Sequence, residues 1–230
     1  MTRINAALRD LLSTMWRLEP IVRLCEPHVI VARELLTYPH LPSLDEWRLV
    51  YAAMPSIVRS LRQDQGIEDK ISINIDTLQI LDTPILESLE AMRDLDIVVE
   101  WTERPGATRE QVRRAGGQLK AFREANGVAL WIDDAGAGED ALGRIALTSP
   151  DAVKIDGELF QAAFTGEIER SAITPLIETI NNSNARTIVE WIETDEHLWF
   201  ARYRLGAGVG QGYLWPALYF EPTPQGVSVV

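Results

Sequence analysis

Seven short apolar runs in this 230-residue sequence each end in a group able to hold a cation, a proton or a phosphate oxygen. Glu34 follows VIVAR, Asn74 and Asp76 lie in ISINID, and Glu100 follows IVV. Asp133 and Asp134 follow ALWI, Lys154 follows DAV, Glu190 follows TIV and Gln211 follows GAGVG. Oxygen donors of this kind, without a cysteine cluster or paired histidines, suit a hard cation such as Mg²⁺ or Mn²⁺ better than zinc. The adjacent Asp133 and Asp134 let one carboxylate bridge two ions about 3.5–4 Å apart while its neighbour serves one, as in phosphodiester cleavage by in-line water attack. Lys154 then steadies developing negative charge or the attacking water. Taken singly, each carboxylate is more often a loop residue or a helix cap, and the acidic, glycine-rich DDAGAG alone reads as a strand-to-helix turn. The recurrence is what points to one site.

Such a site needs strands that end on a common edge. The β-branched runs at 29–36, 71–75, 96–101, 127–132, 151–155 and 185–192 read as buried strands, with a first run at 19–24 and a last segment at 205–215. Helix-like stretches at 43–61, 83–95, 108–126 and 171–183 alternate with them. About eight strands with intervening helices predict an α/β fold, a single-domain (βα)8 TIM-like barrel over 1–230, whose strand ends share one rim. A doubly wound open sheet is the competing architecture. Pro55 and Pro175 fall inside helical patterns, so those helices are expected to be kinked or to begin later.

Composition narrows the partners. Thirty-four Asp and Glu against 22 Lys and Arg give a net charge of −12, which opposes nucleic acid duplexes and anionic membranes. A phosphate substrate then requires a metal or a local basic group. The lone Cys25 excludes an internal disulfide and a thiolate metal site. No run reaches the roughly 18 apolar residues of a membrane span, and Arg and Asp interrupt the N-terminal stretch where a secretion signal stays apolar; the expected location is cytoplasmic.

From about residue 71 to 216 the motifs resemble those of the EAL-domain phosphodiesterases, which hydrolyse the bacterial signalling molecule cyclic di-GMP to linear pGpG. INIDTLQIL is similar to the family's Asn-containing strand motif, VVEWTE to its E-h-T-E motif and IDDAGAG to its D-D-F-G-x-G loop. VKID is its lysine motif unchanged, VEWIE resembles E-G-V-E, and GQGYLW resembles its Q-G-Y motif. The order of all six is the family's. The resemblance implies a TIM-like barrel of EAL type, with the motif-bearing part at about 19–216, and Mg²⁺ or Mn²⁺ as one or two ions. It places metal ligands on Asn74, Glu100 and Asp133, with Asp134 on the second ion, and the catalytic lysine on Lys154. Glu190 matches an acidic residue assigned to the metal site or to water activation. Glu103 and Glu193 match supporting carboxylates, and Gln211 a glutamine near the site. Family members often dimerise through the barrel, so a homodimer is a possible partner state.

The first third departs from the pattern. The E-A-L-x-R signature is best represented by Glu34-Leu35-Leu36-Thr37-Tyr38, preceded by EPIV, which is similar to Q-P-I-V. Glu34 is then the first metal ligand; a register one residue earlier puts Arg33 there, where a cation opposes metal binding. Thr37 and Tyr38 occupy the place of the arginine that helps grip substrate phosphate, so Tyr38 is the substrate-binding candidate there. Ala135 replaces the aromatic of D-D-F-G, and Glu139-Asp140 replace the usual pair after the loop. Trp101, Trp131, Trp191 and Trp215 read first as core residues, with Trp215 the best candidate for stacking on a substrate base. His28, His40 and His197 read as surface or capping groups. Two functional readings follow: a metal-dependent cyclic di-GMP phosphodiesterase, and an inactive EAL-like receptor or interaction scaffold. An unrelated metal-dependent barrel enzyme is a third.

Overall fold

A computed structural model describes residues 16–37, 41, 43–103, 106–137, 141–223 and 226–229. Its strands are β1 (Trp16–Arg23), β2 (Glu26–Leu36), β3 (Lys70–Asp76), β4 (Ile97–Thr102), β5 (Ala129–Ala135), β6 (Ala152–Ile155), β7 (Arg186–Val189), β8 (Val209–Gln211), β9 (Leu218–Thr223) and β10 (Gly226–Val229). Between them lie α1 (Leu44–Gln63), α2 (Thr77–Ile80), α3 (Thr83–Glu90), α4 (Arg109–Asn126), α5 (Ala141–Thr148), α6 (Gly157–Thr165), α7 (Glu167–Asn182) and α8 (Asp195–Tyr203). Strands β2 to β8 pair in parallel in chain order, and β1 bridges β2 and β8, so the sheet closes into an eight-stranded barrel.

The barrel expected from the strand rhythm is therefore present, with one strand reversed. β1 runs antiparallel to both neighbours, because the two-residue turn at Leu24-Cys25 leaves no room for a crossover helix. Its other end carries the β9–β10 hairpin through pairs such as Trp16 with Phe220. Both prolines lie inside helices, Pro55 in α1 and Pro175 in α7, and α7 begins earlier than the pattern suggested, at Glu167.

Local chemistry sets the helix starts. Ser43 with Glu46 and Thr108 with Gln111 form reciprocal capping boxes at α1 and α4, each cap worth about 1 kcal/mol. Asp76 caps α2 by accepting from the amides of Leu78 and Gln79. Of the polar strand ends, this is the one whose carboxylate is spent on a helix N-terminus.

Two apolar layers position the site. The larger lies between sheet and helices and includes Ile71, Ile73, Ile132, Val153, Ile155 and Phe160. The smaller consists of Ile21, Ala32, Val98, Trp131, Ala152 and Ile188. In a strand, residues two apart share a face. Two residues beyond five of those positions stand Glu34, Glu100, Asp133, Lys154 and Glu190, while the same step backward from Ile21 in the reversed β1 reaches Glu19. The small cluster is thus a dry plug on which a ring of polar side chains sits.

Candidate active site

Lys154 is the hub of that ring. Its side chain is 1% exposed, and Nζ lies 2.6 Å from Glu100 Oε1, 2.7 Å from Glu190 Oε1, 3.1 Å from Glu34 Oε2 and 3.2 Å from Asp133 Oδ1. One ammonium thus faces four carboxylates contributed by β2, β4, β5 and the end of β7. Burial alone pushes a lysine toward neutrality, but these four charges outweigh it and hold Lys154 well above its ordinary value. It is a fixed cation.

The carboxylates divide by their other partners. Burial raises Glu34, yet Lys154, Gln211 Nε2 at 2.7 Å and Asn74 Nδ2 at 2.6 Å together hold it below the usual range. Burial pushes Glu100 far above that range, with Glu34 and Asp133 adding to the rise and only Lys154 opposing it. Glu190 is lifted to about 8 by burial, against Lys154, with Asp133 and Glu34 contributing. Asp134 is lifted to about 6, first by burial and then by Asp133. The cluster therefore carries more negative charge than its own residues neutralise.

Sequence register is resolved at β2. Glu34 is buried and faces the ring, whereas Arg33 turns to the opposite side of the strand and pairs with Asp69 at 2.8 Å. At β5 strict alternation would send Asp133 and Asp134 to opposite faces. Asp134 instead adopts φ 55°, a left-handed conformation that Asp tolerates, and the pairing of β5 with β6 slips between Ile132 and Ala135. Ligand atoms of Asp133, Asp134 and Glu190 consequently lie within 4.8 Å of one another.

These residues fit divalent cations. Asn74 Oδ1, Glu100 Oε2 and Gln211 Oε1 are buried without a hydrogen-bond partner, oxygens whose desolvation is left uncompensated by the protein. Ligation by Asn74, Glu100, Asp133, Asp134, Glu34 and Glu190 would satisfy the orphaned Asn74 and Glu100 oxygens and the excess charge. Millimolar Mg²⁺ or Mn²⁺ is accordingly expected to raise the melting temperature of EDTA-treated protein. Saturation at about 100 times Kd is worth about 2.7 kcal/mol, or roughly 5–10 °C for a chain of this size. A melting curve indifferent to the ion, in differential scanning fluorimetry, contradicts the assignment.

The remaining expected residues scatter around this centre. Glu103 lies on the rim, 3.5 Å from Arg144, and lines a cavity of about 360 Å³ beside Asn74 together with Thr37, Trp47 and Tyr51. The Glu193 side chain is exposed, and its amide meets His197 Nδ1. Trp215 is partly buried against the main apolar layer. Tyr38, Glu139 and Asp140 lie outside the described residues. Among the histidines, His197 is buried and packs edge-on against Phe160 and Phe164, a core role.

Four supporting residues were not read from the sequence. Glu19 accepts from Gln211 Nε2 at 3.0 Å, a contact made possible by the reversal of β1. Arg144, buried in α5, donates to the carbonyls of Trp101 at 2.8 Å and Asp133 at 3.0 Å, tying together the ends of β4 and β5. The Tyr51 hydroxyl donates to the Asn74 carbonyl. Asp156 is close enough to Asp134 to raise its pKa. An arginine within the apolar pattern ALGRIAL was the available signal for Arg144.

The ends of β7 and β8 are stitched together. Ile192 donates to the Gln211 carbonyl at 3.0 Å, Leu214 donates to the Ile192 carbonyl at 3.0 Å, and a methyl at Gly212 would lie 2.3 Å from Ile192 backbone atoms. Only glycine permits that approach, which sets Gln211 beside Glu34.

Comparison with known proteins agrees with the barrel fold. The chain is 26% identical over 165 residues to the cyclic di-GMP phosphodiesterase PdeA of Borreliella burgdorferi, covering 72% of this chain and 21% of that protein. It is 25% identical over 169 residues to the cyclic di-GMP phosphodiesterase PdeR of Escherichia coli, covering 69% of this chain and 25% of that protein. The match thus spans a fifth to a quarter of each relative's length. A standalone EAL protein from Vibrio cholerae O395, solved in a c-di-GMP bound form, superposes with a TM-score of 0.70 at 20% identity, covering 94% of each chain. Among the described residues no helix is long and apolar enough to cross a membrane. With residues 18–217 matching the EAL domain, the chain belongs to the EAL domain family.

Proposed function

We propose that this chain hydrolyses cyclic di-GMP to linear pGpG with the help of one or two Mg²⁺ or Mn²⁺ ions. The observation that carries the reading is the buried lysine facing four carboxylates, ringed by orphaned oxygens, at the mouth of an EAL barrel. The names of the two curated relatives supply the substrate. Water adds to one phosphorus, the P–O3′ bond breaks, and the departing 3′ oxygen takes up a proton, leaving the phosphate on the 5′ end of a linear dinucleotide. Bound divalent cations supply Lewis-acid polarisation of the phosphoryl group and acidify water.

This chain's residues do the rest. Lys154, charged throughout, holds the carboxylates together and offers positive charge to the developing phosphoryl oxygens. Glu190, 2.7 Å from Lys154 and within 4.8 Å of the Asp133 and Asp134 ligand atoms, is placed to take a proton from the attacking water. Asn74 and Gln211 fix the Glu34 carboxylate from two sides, and Arg144 fixes the backbone that carries Asp133.

Comparison of Glu34→Ala with Arg33→Ala tests the assignment. Loss of Glu34 is expected to lower kcat/KM for pGpG formation by roughly 100-fold or more, while Arg33→Ala stays within about threefold. Equal effects of the two would place the first ligand elsewhere. A receptor that binds without turnover is the second reading, favoured by Thr37-Tyr38 in place of the phosphate-gripping arginine and by a lysine that partly neutralises the cluster without metal. Unchanged cyclic di-GMP with measurable binding selects it.

A further inference from the structure

Trp191 follows Glu190 directly and occupies a conformation that its residue type avoids. Its φ is 56°, in the left-handed region that favours glycine, and glycine is the residue of the family motif that VEWIE resembles. Two contacts hold it there. Its carbonyl accepts from Gln161 Nε2 at 2.8 Å, and its indole lies over Gly157, where a methyl would come 2.2 Å from Cγ and Cδ2. One side of the ring is thus seated on a backbone hollow that a side chain would fill.

The residue is nevertheless 46% exposed, unlike Trp101 and Trp131, which are buried. A tryptophan serving only to pack would gain little from so open a position. Gly157 follows Asp156, whose charge acts on Asp134, and Trp191 follows Glu190, whose carboxylate touches Lys154. The ring is therefore carried by the residue after Glu190 and seated on the residue after Asp156, with its Gly157 side supported. Backbone held in a costly conformation beside reacting groups is a mark of function.

We infer that Trp191 is a stacking platform for a purine base of the substrate, a specificity-determining residue. The inference rests on the proposed function, since the base it takes is one of the guanines of cyclic di-GMP. A rigid aromatic whose hidden side is already desolvated gives a base a flat partner at little cost in side-chain entropy.

The test is the Kd for cyclic di-GMP in EDTA and the KM of Mg²⁺-supported hydrolysis. The set comprises wild type, Trp191→Gly, Trp191→Phe, Gly157→Ala and the Trp191→Gly/Gly157→Ala double variant. Trp191→Gly relieves the backbone, so folding is not at risk, and melting curves check it. It is expected to raise Kd and KM roughly 5- to 100-fold, the range of one base-aromatic stack. Trp191→Phe recovers most of the loss. Gly157→Ala leaves the tryptophan in the chain but drives a methyl into its ring, and is expected to weaken binding in the same direction. The double variant binds no worse than Trp191→Gly alone, because the two act through one ring. If Trp191→Gly leaves both constants within twofold of a wild type that binds, the ring is packing only and the inference is overturned. A wild type that neither binds nor hydrolyses the dinucleotide overturns the proposed function, and the stacking role falls with it.

Discussion

Lys154→Met is expected to lower the proposed hydrolysis by a factor of roughly 10³ and to strip the metal-free protein of about 3–5 kcal/mol of stability. The substitution keeps the side chain's length and removes its charge, leaving Glu34, Glu100, Asp133 and Glu190 facing one another in a buried ring. No other basic side chain lies that close to all four among the described residues. Urea unfolding in EDTA measures the loss. The direction with pH follows from the carboxylates. In the native protein Glu190 sits near 8 and Glu100 well above its ordinary value, whereas the unfolded chain titrates them at about 4.3. Between those limits the native state binds more protons, so ionisation costs stability as pH rises from about 4.5 toward 8. Lys154 lowers both groups, so its loss raises them further and steepens that fall; the variant's deficit is therefore larger at pH 8 than at pH 5, and is reduced by Mg²⁺, which becomes the remaining counter-charge. A variant as stable as wild type in EDTA at pH 8 would show that the lysine's charge does not hold the ring together.

Asp133→Asn is expected to lower pGpG formation by a comparable factor of about 10³, since it removes the carboxylate shared between Lys154 and the Asp134–Glu190 group. Its effect on stability has the opposite sign. With one fewer charge in an over-negative ring, the metal-free variant is expected to melt above metal-free wild type, and the stabilisation by Mg²⁺ or Mn²⁺ to shrink toward zero. That pairing separates a metal ligand from a structural residue, whose loss lowers the melting temperature with or without metal. Hydrolysis within tenfold of wild type would remove Asp133 from the reaction.

The polar ring was legible because the barrel imposes a period of two. Ala32 and Glu34, Val98 and Glu100, Trp131 and Asp133, Ala152 and Lys154, and Ile188 and Glu190 are each a plug residue and the site residue above it. That spacing stands in the sequence, and it needs a closed sheet to mean anything. The direction of β1 does not stand there, because an apolar run reads the same in either sense. Glu19, which meets Gln211 only in the reversed strand, was therefore missed. Arg33 and Glu34 offered equal local propensity, and only the neighbouring strands' inward set decides between them. Arg144 was hidden by the ordinary expectation that a helical arginine faces water, when its guanidinium is needed by two strand-end carbonyls. Trp191 was read as packing because periodicity carries no trace of a left-handed residue, which is held by Gly157 and Gln161, 34 and 30 positions away.

The most direct measurement is chromatography of cyclic di-GMP incubated with the purified chain in Mg²⁺ or Mn²⁺, and in parallel with EDTA. A lysine-centred carboxylate ring with unsatisfied oxygens predicts pGpG that accumulates with enzyme and time, and that EDTA stops. Cyclic di-GMP recovered intact at every metal concentration, while the protein stays folded and binds it, would contradict hydrolysis and leave a barrel that reads the dinucleotide without cutting it.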